Sequence, residues 1–119
     1  MSKKVLIVED YADVRMIMKI LIGLRGYEVI EAADGYEAME KAKEHHPDLI
    51  LMDLAMPVLD GFIATQIIRE TEDTKQIPII ALTAFDNYHE KAIEAGCNEV
   101  IKKPLDFQRL EPIFDQYLN

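Results

Sequence analysis

Short apolar runs in this 119-residue chain hand over, one after another, to side chains able to do chemistry. Glu9 and Asp10 follow Val5-Leu6-Ile7-Val8, and Asp53 follows Leu49-Ile50-Leu51-Met52. Thr83, with Ala84 behind it, follows the run Ile77 to Leu82, and Lys102-Lys103-Pro104 follows Glu99-Val100-Ile101. If these runs end on one rim, Glu9, Asp10 and Asp53 crowd together. At about 4 Å and an effective dielectric near 20, each carboxylate pair then costs roughly 4 kcal/mol. A divalent cation offsets that repulsion; so does a raised pKa that keeps one carboxyl protonated. An all-oxygen donor set with no His or Cys beside it selects Mg²⁺, which keeps several waters and needs few protein ligands. Asp10 and Asp53 are the expected direct ligands, Glu9 acts directly or through water, and the backbone carbonyl of Ala55 completes the protein share. Lys103 is a compact cation that can pair with a carboxylate at rest and with a phosphoryl oxygen afterwards. Thr83 offers a hydroxyl donor to another such oxygen, and Ala84 keeps the approach open. Pro104 fixes the chain direction after Lys103 and is a candidate for a cis peptide bond, a minority outcome for such bonds.

The elements that must position these groups follow from the hydrophobic pattern. Apolar runs without polar alternation suit strands covered on both faces, as in a parallel sheet. Glu28 to Ala32 is a weaker run suited to a place nearer an edge. Between the runs, Val14, Ile17, Met18, Leu21 and Leu24 fall at helical spacing within Ala12 to Arg25, with Gly26 as a stop signal. Further helices are expected over Gly35 to His46, ended by Pro47, and over Gly61 to Glu70, Asp86 to Ala95 and Asp106 to Leu118. Asp86 and Asp106 are the expected N-caps, because a carboxylate there accepts from free backbone N–H groups. Gly96 is the expected C-terminal cap of the fourth helix. Strand and helix alternate five times along the sequence. Right-handed crossovers then give an α/β fold, a doubly wound five-stranded parallel sheet with five helices on its two faces. Sites in such sheets lie at the carboxyl ends of the strands.

Composition narrows the classes. The length fits a single domain, spanning residues 1–119. A chain that is 50% hydrophobic and 29% charged can bury a core, which argues against disorder. A net charge of −9 repels nucleic acid and anionic membrane, so neither is an expected partner. Cys97 is the sole cysteine, which excludes an internal disulfide, fits a reducing compartment, and suits a small semi-buried apolar role. The run Val5 to Val8 is too short for a signal-peptide core or a membrane span. Taken singly, the candidate residues have ordinary readings: Glu9 and Asp10 as caps of the first helix, Asp53 as a turn residue, Thr83 as a cap, Lys103 as a solvated lysine. Their joint placement is what argues for a cation–phosphoryl site. His45 and His46 read as solvated residues beside a helix end, and His89 has no Cys or second His at ligand spacing.

From Lys4 to the C-terminus the chain resembles the receiver domains of two-component response regulators, most simply the stand-alone, chemotaxis-regulator type. The matching pieces are Val5 to Asp10, Asp48 to Asp53, Met56-Pro57 with Asp60-Gly61, Leu82-Thr83-Ala84, Ala95-Gly96 and Lys103-Pro104. The resemblance implies a flavodoxin-like sheet and a phosphoacceptor signalling switch. Asp53 would attack the phosphorus of a phosphohistidine on a sensor histidine kinase or a histidine phosphotransfer protein, Glu9 and Asp10 would hold Mg²⁺, and Thr83 and Lys103 would bind the transferred group. The aspartyl phosphate would later hydrolyse, and Thr83, drawn inward, would bias the face formed by the fourth helix, fifth strand and fifth helix. The resemblance further implies a cytoplasmic monomer or weak dimer, with no output domain after Asn119, that binds or relays to a downstream protein target. Its catalysis would be confined to its own phosphorylation and dephosphorylation. Val100 departs from the family pattern, which places Tyr or Phe three residues before the lysine. Phe85 and Ala55 fall where family members tune the access of water to the phosphoryl group. Tyr11, Met16 and Ile20 are candidates for a docking surface toward the phosphodonor.

Other classes fit less well. A hydrolytic phosphatase with an Asp nucleophile often carries a second Asp two residues on, where this chain has Ala55. A flavin module of similar topology needs a phosphate-cradling loop after the first strand, where Glu9 and Asp10 repel phosphate. An interaction module without phosphorylation leaves the set Glu9, Asp10, Asp53, Thr83 and Lys103 unexplained.

Overall fold

The alternating runs and amphipathic stretches become β1 (Lys4–Val8), α1 (Ala12–Gly23), β2 (Glu28–Ala32), α2 (Gly35–His45), β3 (Leu49–Asp53), α3 (Gly61–Glu70), β4 (Ile79–Thr83), a 3₁₀ turn (Asp86–Tyr88), α4 (His89–Ala95), β5 (Glu99–Lys102) and α5 (Phe107–Leu118). The computed structural model describes residues 2–56, 59–104 and 106–119; Pro57, part of the Met56-Pro57 piece, lies outside them. The strands form one parallel sheet in the order β2-β1-β3-β4-β5. Each strand side chain alternates between two cores. Leu6 and Val8 of β1 pack beneath α2, α3 and α4 with Ala38, Ala42, Ala64, Ile68 and Ala92. Val5 and Ile7 face the other way, against Met18 and Ile22 of α1 and Leu110, Ile113 and Phe114 of α5. Both faces of the central strands are dry, which is why β1 and β3 tolerate no polar alternation. Each large side chain buried this way contributes roughly 1.5–3 kcal/mol.

Local signals set most of the helix ends. Asp34, Asp60 and Asp106 cap α2, α3 and α5, accepting at 2.9 Å from the N–H of Glu37, Ile63 and Gln108 respectively. Gly96 closes α4 with φ of 118°, a left-handed conformation that a Cβ disfavours. Arg69 of α3 staples that corner: its guanidinium donates to the carbonyls of Gly96 (2.8 Å), Ile77 (2.6 Å) and Lys75 (3.1 Å) and to Asn98 Oδ1 (2.8 Å). The Lys103–Pro104 peptide bond is cis.

Several expectations need correction. α1 ends at Gly23, with Leu24 at the C-cap, and Gly26 lies beyond it in the turn with φ of 91°. Of its expected stripe only Met18 is buried and Leu21 is half-buried, whereas Val14, Ile17 and Leu24 are exposed, Leu24 to 78%; Ile22, outside that stripe, is the helix's other buried side chain. α1 is apolar almost all round, so spacing alone does not say which face turns inward. β4 begins at Ile79 and not Ile77, because Pro78 has no N–H to give to the ladder and Ile77 bonds back to Thr74 at 3.1 Å. Asp86 does not cap α4. It opens the 3₁₀ turn and pairs instead with Lys102 at 2.7 Å. Cys97 is fully buried, its sulfur 3.7 Å from Thr65 Oγ1. No helix among the described residues is long and apolar enough to cross a membrane.

Candidate functional site

The register of the sheet brings the chemistry together. Val8 stands opposite Met52, Asp53 opposite Leu82, and Thr83 opposite Lys102, so the carboxyl ends of β1, β3, β4 and β5 form one rim. On it Glu9, Asp10 and Asp53 each present a carboxylate oxygen within 4.8 Å of the others. Glu9 is 1% exposed and Asp53 3%, so these charges lack the full hydration that makes surface acids harmless. Lys103 reaches the cluster from the far side, its ammonium 3.2 Å from Asp53 Oδ2 and 3.4 Å from Glu9 Oε1. Its backbone N–H is tied to the Thr83 carbonyl at 2.7 Å, which anchors the β5 end to β4.

Neither Glu9 nor Asp10 is a cap. Tyr11 occupies the N-cap of α1 without a side-chain bond, and Glu9 Oε2 accepts only from the Tyr11 N–H, at 3.2 Å. Thr83 likewise caps nothing: it is buried, and its Oγ1 accepts from the Phe85 N–H at 3.1 Å. Ala55, exposed, donates its N–H to Asp53 Oδ1 at 3.1 Å and so sets the rotamer of that side chain. Gly61, which opens α3, is pressed against the floor of the site. A Cβ there would stand 2.4 Å from the Asp53 carbonyl oxygen and 2.8 Å from Leu54 Cα. No larger residue fits without moving the backbone that carries Asp53.

The oxygens are not equivalent. Both Glu9 oxygens and both Asp53 oxygens have protein partners, whereas Asp10 Oδ1 is buried with none. An orphaned carboxylate oxygen beside two further carboxylates is what a hard cation would satisfy, and an all-oxygen donor set fits Mg²⁺. Without a cation, burial pushes the Asp10 carboxyl above its ordinary pKa, and a hydrogen bond with Glu9 and the charge of Glu9 push the same way. The Lys103 ammonium is pulled down by burial, but attraction to Asp53 and Glu9 outweighs this and holds it above its usual value, so it stays charged.

Val100 packs against the core on the α3–α4 side. A hollow of about 90 Å³ lies between it, Thr83, Phe85, Asp86, His89 and Lys102. Phe85 stands half exposed at its rim, 5.1 Å from the ring of Tyr88, which meets Phe62 edge-on at 5.2 Å. A hollow of about 370 Å³ lies at the opposite rim, between Pro47, Asp48, Glu72 and Pro78, and holds no part of the cluster. Sequence reasoning passed over Arg15, whose guanidinium donates to the Glu9 carbonyl at 2.7 Å. The available signal was a lone basic residue one turn into the helix behind an acidic pair.

Comparison with known proteins agrees with this geometry. A model of the response regulator receiver domain matches residues 5–115. The polar-differentiation response regulator DivK of Brucella ovis is 39% identical over 120 residues, covering 99% of this chain and 98% of that protein. Chemotaxis protein CheY4 of Vibrio cholerae superposes with a TM-score of 0.91 at 31% identity, over 99% of this chain and 100% of that one. The receiver domain of the sensor histidine kinase PA1611 from Pseudomonas aeruginosa, solved with a magnesium ion coordinated in its active-site cleft, gives 0.90 at 35% identity over 98% of both chains.

Proposed function

We propose, on the premise that this chain belongs to the response regulator receiver domain family, that Asp53 accepts a phosphoryl group from a phosphohistidine in a Mg²⁺-dependent reaction. The observation that carries this reading is the triad of carboxylates within 4.8 Å, bridged by Lys103 and leaving Asp10 Oδ1 without a partner. An oxygen of Asp53 attacks phosphorus. The new O–P bond forms as the P–N bond to imidazole breaks, and the imidazole leaves with the electron pair. Phosphoryl transfer asks mainly for positioning and charge stabilisation. Lys103, charged and held beside Asp53, stands ready to exchange a carboxylate partner for a phosphoryl oxygen. Thr83 can turn its hydroxyl toward another, giving up its bond to the Phe85 N–H. Asp10 and Asp53 would hold Mg²⁺ directly, with the Ala55 carbonyl, and Glu9 directly or through water. The bound ion would neutralise charge on the phosphoryl oxygens.

The domain is then a self-limiting switch in the cytoplasm, without turnover on external substrates. Its donor is a sensor histidine kinase or a histidine phosphotransfer protein, and it acts on a downstream protein target as a monomer or weak dimer. The exposed apolar face of α1, with Tyr11, Met16 and Ile20 now joined by Val14 and Ile17, lies beside the site and suits docking of the donor. Intact-mass measurement after acetyl phosphate treatment tests the assignment. One added phosphate is expected, dependent on Mg²⁺ and absent from Asp53→Asn; phosphate gained by the variant at the wild-type level refutes it.

A further inference from the structure

We infer that Arg15 is a positioning residue for the metal-holding connection between β1 and α1. The inference rests on the reading of the site as a Mg²⁺-dependent phosphoacceptor and adds a residue to it. Arg15 lies on the first turn of α1, its side chain only 19% exposed. One arm of its guanidinium, Nη1, donates to the backbone carbonyl of Glu9 at 2.7 Å. Its Nε donates to Glu31 Oε1 of β2 at 3.3 Å, and the other oxygen of Glu31 takes Lys19 at 3.2 Å. The neighbouring residue of β2, Ala32, accepts the Glu9 N–H at 3.1 Å. Glu9 is therefore gripped at both ends of its backbone, through the β2 main chain on one side and through Arg15 on the other.

That grip matters for Asp10 more than for Glu9. The Glu9 carbonyl and the Asp10 N–H share one rigid peptide plane, so fixing the carbonyl fixes the direction in which the chain presents Asp10. Glu9 has other restraints, since its carboxylate is held by the Tyr11 N–H and by Lys103. Asp10 Oδ1 has no protein partner, and α1 has no side-chain cap to stiffen its entry. The aim of the Asp10 carboxylate into the cluster thus depends on the backbone, and Arg15 is the side chain that holds that backbone. Glu31 neutralises Arg15, so its effect on the site is one of placement and not of added positive charge. The forked guanidinium suits this place because its separate nitrogens, Nη1 and Nε, reach a carbonyl and a carboxylate in one fixed plane, whereas a lysine presents its donors from a single, more mobile point.

The test is a calorimetric Mg²⁺ titration of the full chain, metal-free at the start, for wild type, Arg15→Met, Arg15→Lys and Glu31→Gln. Removing a group that orients metal ligands typically weakens metal affinity 10–100-fold. Arg15→Met is expected to lose about tenfold, with Arg15→Lys and Glu31→Gln in between. The initial rate of phosphorylation by acetyl phosphate, a donor too small to need a docking surface, should fall in Arg15→Met at limiting Mg²⁺ and recover when Mg²⁺ saturates. A variant that binds Mg²⁺ as tightly as wild type, or whose rate stays low at saturating Mg²⁺, overturns the inference. Should Arg15→Met fail to fold by circular dichroism, wild-type affinity in both Arg15→Lys and Glu31→Gln overturns it equally. Wild type that binds no Mg²⁺ overturns the functional reading itself, whereas wild type that binds while Arg15→Met binds equally overturns only the role of Arg15.

Discussion

In the metal-free protein, Asp10→Asn is expected to raise stability at neutral pH while blunting the response to Mg²⁺. One carboxylate oxygen from each of Glu9, Asp10 and Asp53 lies within 4.8 Å of the others. At that separation and an effective dielectric of 20, a pair of unit charges repels by about 3.5 kcal/mol. Lys103 and residual hydration of Asp10 cancel much of this, leaving a net gain of about 1–2 kcal/mol for the uncharged isostere. The pH dependence has a definite sign. The folded-state pKa of Asp10 is raised above its ordinary 3.8, so the stability tied to its proton is complete below 3.8 and is lost as pH rises through the folded value. Asn behaves as a permanently protonated carboxyl, so its advantage should vanish toward about pH 4 and grow to a plateau at neutral pH. Mg²⁺ reverses the order. A ligand at 100 times its Kd stabilises the folded state by about 2.7 kcal/mol, a gain expected for wild type and largely denied to a variant lacking one of the proposed direct ligands. Urea unfolding with chelator and with saturating Mg²⁺, at pH 4 and pH 7, resolves every term. A variant less stable than wild type with chelator at pH 7, or one that gains as much from Mg²⁺ as wild type does, refutes the reasoning.

Other consequences follow from close contacts away from the metal. Gly61→Ala places a methyl 2.4 Å from the Asp53 carbonyl oxygen, so the β3 end must shift; a loss of about 1–3 kcal/mol with slower phosphorylation by acetyl phosphate is expected, and unchanged kinetics would count against the fit described. Arg69→Met removes the staple between α3 and the carbonyls of Ile77 and Gly96. Charged hydrogen bonds of this kind are worth about 1.5–3 kcal/mol each and are not additive, so a loss of about 3 kcal/mol in urea unfolding is expected; a loss under about 0.5 kcal/mol would show the carbonyls to be equally well served by water.

Much of the site was legible from residue order because strand ends are marked by chemistry. Glu9, Asp10, Asp53, Thr83 and Lys103 interrupt runs that otherwise tolerate no polar group, and a parallel sheet delivers all such interruptions to one rim. The ordinary alternatives for them are caps and turns: the helix caps belong to other residues, while the local bonds that Glu9, Asp53 and Thr83 do accept, from the N–H groups of Tyr11, Ala55 and Phe85, leave all three in the cluster. Asp34, Asp60 and Asp106 are the capping carboxylates. Asp86 looked the same in sequence, yet Lys102 from a neighbouring strand claims it, a competition invisible to any rule that reads only nearby residues.

Hydrophobic period and residue chemistry determined by themselves the doubly wound sheet, the rim on which charge gathers and the kind of ion that would quiet it, since these depend on patterns carried within short stretches. Only the folded chain decided which face of the all-round apolar α1 turns inward, which carboxylate oxygen is left without a partner, and that Arg15 grips the Glu9 carbonyl. Those outcomes are set by distances between elements far apart along the chain, where a displacement of an ångström separates a hydrogen bond from none.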